Sequence, residues 1–101
     1  MGDKERETPL ILAISRKYDD IVRFLISKGA NVNHKTDRRN WTPIYYAAAV
    51  GSVEILNLLI DMQADVNTLT DLKRSPLSIA CYMGRTEAVS PLLKHPKILI
   101  N

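Results

Sequence analysis

The apolar positions of this chain fall in short helical stripes. Leu10, Ala13 and Ile14 sit at i, i+3 and i+4, the spacing of one helix face, and Ile21, Val22, Leu25 and Ile26 make a second stripe. Thr8-Pro9 stands before the first, with Thr as N-cap and Pro at the first helical position. This predicts an inner helix from Pro9 to about Arg16, with a break near Lys17-Tyr18. Asp19-Asp20 then place negative charge where the positive end of a second helix favours it. Lys28 falls in the last turn of that helix, and Gly29 lets the chain leave through a left-handed residue. From Ala30 to Thr36 the chain leads outward as an extended arm.

The same order of elements recurs twice. Thr8-Pro9-Leu10 returns as Thr42-Pro43-Ile44 and again as Ser75-Pro76-Leu77, the second interval one position shorter than the first. Ala30-Asn31-Val32-Asn33 returns as Ala64-Asp65-Val66-Asn67, while Asp3, Asp37 and Asp71 each open a copy. A near-constant period of this size is the mark of a repeat architecture, and the copies run over 3–36, 37–70 and 71–101. In the second copy Asn40 stands where the arm must turn, a residue that tolerates positive φ. Thr42 caps an inner helix kept thin by Ala47-Ala48-Ala49, and Gly51 breaks it. Ser52 opens an outer helix from Val53 to Met62, whose core side carries Ile55, Leu56, Leu58 and Leu59. Gln63 replaces the Gly29 of the first copy; if that site is left-handed, Gln costs roughly 1 kcal/mol more than Gly. In the third copy the arm is one residue shorter and Gly84 keeps the break. Pro91 falls near the end of the first turn of the outer helix, predicting a kink rather than a break, and Pro96 ends it. The apolar tail Ile98-Leu99-Ile100 either folds back over the last outer helix or precedes more chain beyond Asn101. The second option makes this chain a targeting fragment of a larger multidomain protein.

Composition narrows the function. A chain of 101 residues suits one small domain, and 46% apolar with 25% charged residues is ordinary for a soluble globular protein. With one Phe, one Trp and four Tyr, the core must rest on aliphatics and alanine. A net charge of +3 suggests an acidic partner at most. The single cysteine excludes an internal disulfide and a CxxC metal knuckle. Cys81 takes the place of the second alanine of the Ala47-Ala48 pair and so reads as a buried core thiol. No apolar run approaches the ~20 residues of a membrane span. The opening MGDKERE has no apolar signal core, and Arg6 stands where myristoylation wants Ser or Thr. The expected home is the cytoplasm or nucleus, not the secretory route. GxxxxGK, HExxH, GxSxG and CxxC are all absent. His34 and His95 lie far apart, one in an arm and one at a helix exit, and form no motif. The expectation is therefore no enzyme, no cofactor and no metal.

Taken together, these residues resemble ankyrin repeats. The second copy carries Asp37, Thr42-Pro43-Ile44, Ala47-Ala48, Gly51, Leu58-Leu59 and Ala64-Asp65-Val66-Asn67 in the family's order, and the likeness covers essentially the whole chain. Departures are local. Arg6, Asn40 and the residue deleted before Ser75 stand for the turn glycine; Ile11, Tyr45 and Ser78 stand for the histidine of TPLH; Lys17 stands for the glycine between helices. The resemblance implies an all-α solenoid of three helix–turn–helix units joined by β-hairpin-like arms. It also implies a monomer that binds another protein along a concave surface, as adaptor, scaffold or inhibitor. The family's contact positions fall on Lys4, Glu5, Glu7, Ser15 and Arg16; on Arg38, Arg39, Trp41, Ala49 and Val50; and on Leu72, Lys73, Arg74, Tyr82 and Met83. Trp, Tyr and Arg are the commonest interface anchors, though Trp41 has the alternative of packing between neighbouring arms. Lys35, Arg38, Arg39, Lys73 and Arg74 also support an alternative surface for nucleic acid or anionic lipid. Finally, Leu59, Asp65, Val66 and Asn67 match the pattern that such repeats offer to asparaginyl hydroxylases. Asn67 is thus a candidate for modification, or else bonds the arm backbone.

Overall fold

Each Ser/Thr-Pro step starts a helix in the computed structural model, which describes residues 8–37 and 39–98. The inner helices are α1 (Pro9–Ser15), α3 (Pro43–Val50) and α5 (Pro76–Tyr82); the outer helices are α2 (Asp19–Ser27), α4 (Val53–Asp61) and α6 (Thr86–Lys94). Thr8 Oγ1 accepts from the Ile11 N–H at 3.2 Å and Thr42 Oγ1 from the Tyr45 N–H at 3.4 Å. Ser75 and Ser78 exchange reciprocal side-chain to backbone bonds, 3.1 and 2.8 Å, closing a capping box. The outer helices start without such a cap, α2 and α4 relying on acidic first turns instead.

Neighbouring pairs stack in chain order, α1 on α3 on α5 and α2 on α4 on α6. Leu10, Ile11, Ile14, Ile44, Ala47, Ala48, Ile55, Leu56, Leu59, Ala80, Ala88 and Leu92 fill the space between them. Buried alanines at 47, 48 and 80 bring the inner helices close together. Register through the repeat explains who is covered. Tyr46 and Ile79 are buried against the preceding helix pair, whereas Leu12, the same position in the first pair, is exposed. Cys81 corrects the sequence reading. Its counterparts Ile14 and Ala48 are sealed by the next pair, but no described element lies over α5 on that side, and Cys81 is exposed.

The chain leaves its helices through left-handed residues. Gly29 (φ 89°) and Gln63 (φ 68°) share one such place, so Gln63 bears the strain expected of it. Lys17, Gly51 and Gly84 share another, at φ 62°, 79° and 70°. The arms contain no strand among the described residues. They turn around buried threonines instead. Thr36 Oγ1 accepts from the Trp41 N–H at 3.0 Å, and Thr70 Oγ1 accepts from the Leu72 and Arg74 N–H groups at 3.3 and 3.2 Å. Asn40 (φ 58°) and Lys73 (φ 64°) take the left-handed corner of these turns. Pro91 is the sixth residue of α6, later than the spacing suggested, because the helix already starts at Thr86; the helix continues through it. Ile98 packs partly against the core, and the rest of the apolar tail lies outside the described residues.

Candidate functional site

Two turns project from the stack side by side, 36–41 and 70–74. The Asp71 N–H donates to the Arg39 carbonyl at 2.9 Å, tying them together. Between them lies a cleft of about 250 Å³ lined by Arg39, Trp41, Tyr45, Thr70, Asp71, Leu72 and Arg74. Each side chain is set by its turn. Trp41 follows the left-handed Asn40 and falls inward, half-buried, with its ring 5.1 Å from Tyr45 and 5.2 Å from Tyr46. Trp41 thus packs under the turn and also forms one wall of the cleft. The Arg39 guanidinium lies 5.3 Å from the Trp41 ring centroid, and that of Arg74 lies 5.8 Å from the Tyr82 ring. Such cation–π contacts fix long side chains over apolar surface. Leu72 is 66% exposed at the cleft mouth.

The cleft floor is the phenol of Tyr45, whose side chain is almost wholly buried. Burial pushes this phenol above its usual value. Arg74 beside it works in the opposite direction, and Asp71 adds to the rise.

The positions named from the sequence separate into groups. Arg39, Trp41, Leu72 and Arg74 meet in the cleft, and Tyr82, 78% exposed, adjoins it through Arg74. Lys35 is exposed beside buried Thr36, and Met83 is exposed as the C-cap of α5. Lys73 is exposed as the left-handed corner of its turn. Ser15 and Arg16 end α1, the Ser15 hydroxyl donating to the Leu12 carbonyl at 2.8 Å. The Ala49 carbonyl is taken by Arg85 Nε at 3.0 Å, and Val50 faces a second cleft between the helix-pair turns, with Lys17 and Glu87. Lys4, Glu5, Glu7 and Arg38 lie outside the described residues. Asn67 donates from Nδ2 to the Lys97 carbonyl at 2.7 Å, while the Asn33 side-chain oxygen accepts from the Asp65 N–H at 3.0 Å. Both asparagines thus tie one helix pair to the next.

The sequence reading does not single out Tyr45, Thr70 or Asp71 as site residues. Thr70 carries a signal, since it stands in the second copy where Thr36 stands in the first. Tyr45 carries one too, as part of the aromatic run around Trp41. Among the described residues no cluster of three His, Cys, Asp or Glu could hold a metal, and no helix is long and apolar enough to cross a membrane.

Comparison with known proteins follows the repeat pattern. A family model described as ankyrin repeats in three copies matches residues 1–70 and again 33–101. A glycerophosphocholine phosphodiesterase of Candida albicans is 32% identical over 99 residues, which is 97% of this chain and 8% of that protein. A putative E3 ubiquitin-protein ligase of Arabidopsis thaliana is 35% identical over 95 residues, 92% of this chain and 21% of the ligase. A probable 26S proteasome regulatory subunit of Saccharomyces cerevisiae is 34% identical over 73 residues, 68% of this chain and 32% of the subunit. The chain therefore spans less than a third of each of these relatives.

Proposed function

The chain belongs to the ankyrin repeat family, whose repeats generally serve as protein–protein interaction modules, and we propose that this one is a non-catalytic adaptor, scaffold or inhibitor. Its partner is another protein, held by the arm turns and the adjoining ends of the inner helices. One observation carries this reading. Exposed Leu72 and Tyr82 sit beside Arg39 and Arg74 on one rim, around a preformed cleft. Apolar side chains interleaved with arginine and tryptophan are the make-up of interface anchors. We take the repeat units to be 3–36, 37–70 and 71–101.

Capture of partners from the native source tests this. Arg39→Glu with Leu72→Glu should weaken capture while leaving the melting temperature in place, since both side chains are exposed. Trp41→Ala should lower both, because its ring also packs on Tyr45 and Tyr46. Unchanged capture by the double variant would count against the site.

A second reading has its own support. Two relatives are named for enzymes, and the chain matches a small share of each. This favours repeats that direct a catalytic part lying elsewhere in a longer protein. Expression of the complete reading frame, with and without these residues, would separate targeting from catalysis.

A further inference from the structure

The cleft between the 36–41 and 70–74 turns has a definite chemistry. Two guanidiniums and one carboxylate line it. Arg74 forms no ion pair among the described residues; its guanidinium is steadied by the Tyr82 ring and lies beside the Tyr45 phenol. The remaining wall is apolar, built from Trp41 and Leu72. At about 250 Å³ the cleft falls below the usual 300–1,000 Å³ of small-molecule sites. It therefore suits one or two side chains of a partner and not a free cofactor. Its two sides come from different repeats, whose turns are joined by the backbone bond from the Asp71 N–H to the Arg39 carbonyl.

We propose that this cleft takes a carboxylate of an acidic protein segment, received by Arg74, with Trp41 and Leu72 closing on the apolar residue next to it. The planar fork of arginine fits a carboxylate in two parallel bonds, and the ring beneath it keeps it oriented at small entropic cost. An acidic segment with an apolar residue beside its carboxylate matches both halves of the lining. A nucleic acid would need a continuous basic track with exposed stacking rings, whereas Asp71 lies in this cleft and Trp41 is half-buried. The inference rests on the protein-binding reading and narrows it to a partner class.

Trp41 is the one tryptophan of the chain, so its emission reports on this cleft alone. The probe is a blocked Gly-Glu-Leu-Glu-Gly peptide titrated against the chain at low and physiological salt. Gly-Gln-Leu-Gln-Gly, Gly-Lys-Leu-Lys-Gly and a single-stranded RNA oligonucleotide serve as the other arms. A saturable change in Trp41 emission with the glutamate peptide and none with the glutamine or lysine peptides is expected. Arg74→Gln should weaken that binding by about tenfold to a hundredfold, with circular dichroism unchanged. Arg74→Glu should reverse the preference and take the lysine peptide, a result that a merely destabilised fold would not produce. No response to the glutamate peptide at millimolar concentration, an equal response to the lysine peptide, or tighter binding of RNA would each overturn the proposal. Loss of partner capture in the Arg39→Glu and Leu72→Glu variant, alongside a silent glutamate peptide, would defeat this inference and leave the broader protein-binding reading standing.

Discussion

Substituting Gly51 by alanine should damage this protein more than the same change at Gly84, although both residues end an inner helix with similar dihedral angles. Gly51 sits at φ 79°, and a Cβ there would lie 2.8 Å from Arg85 Cδ; Gly84 sits at φ 70° with open space around a Cβ. The left-handed conformation alone costs alanine about 1–2 kcal/mol, of which about 0.4–1 kcal/mol is recovered because alanine restrains the unfolded chain. Gly84→Ala should therefore lose about 1 kcal/mol. At Gly51 the crowding comes on top. Arg85 cannot swing clear freely, since its Nε donates to the Ala49 carbonyl at 3.0 Å. Either that charged bond is given up, about 1.5–3 kcal/mol, or the contact is strained, about 1–3 kcal/mol. The total for Gly51→Ala is about 2–4 kcal/mol. Thermal unfolding followed by circular dichroism reads the difference, at about 4–8 °C per kcal/mol for a domain of this size. A double-mutant cycle with Arg85→Ala should show that Gly51→Ala costs only about 1 kcal/mol once the arginine is gone. Equal melting temperatures for Gly51→Ala and Gly84→Ala, or no coupling between positions 51 and 85, would refute this account.

Three further outcomes follow from the same geometry. Gln63→Gly should stabilise by about 0.5–1 kcal/mol in a urea titration, because Gln63 is exposed and its φ of 68° is free to glycine. Thr70→Val should cost about 1–3 kcal/mol by the same measurement, since the Leu72 and Arg74 N–H groups lose the oxygen that turns the arm. Tyr45 should titrate above the ordinary phenol value of 10.0 in a phenolate absorbance scan, because burial favours its neutral form. Its proton is held more tightly in the folded state, so the stability it contributes is complete below the ordinary phenol value of 10.0 and is lost as pH rises through the folded value. Tyr45→Phe should flatten that alkaline decline, and Arg74→Gln should raise the titration further.

The repeat makes most of the fold legible. Thr8, Thr42 and Ser75 announce the inner helices, and the correspondence of Gly29 with Gln63 locates a strained helix exit from residue types alone. What stays hidden depends on neighbours across the stack. Cys81 occupies the register of buried Ala48 yet lies exposed, because burial at that position is conferred by the following helix pair. Lys73 reads in the sequence as a contact residue, and the shortened third arm conceals that it shares the corner position of Asn40. Lys17 shows the reverse effect. It adopts the same left-handed conformation as Gly51, but the residue in register with Arg85 is the small Ser52. Of the candidate surface, Arg39, Trp41, Leu72 and Arg74 can be named from sequence. Tyr45 shows in sequence only as part of the aromatic run beside Trp41; its place as the floor of the cleft depends on the Arg74 turn, which belongs to the next repeat.

The stacking order also sets where the molecule opens. Helices α3 and α4 are flanked on both sides, while α1 and α2 present Leu12, Ile21 and Phe24 to solvent. In such a linear array each pair is held by its own stability and by its interfaces alone, so amide protons should exchange fastest in the outermost pairs and slowest in α3 and α4. The cleft straddles the boundary between the central and final pairs. A ligand seated there must keep both in place, so its binding free energy should appear as slowed exchange throughout α5 and α6, including amides it never touches.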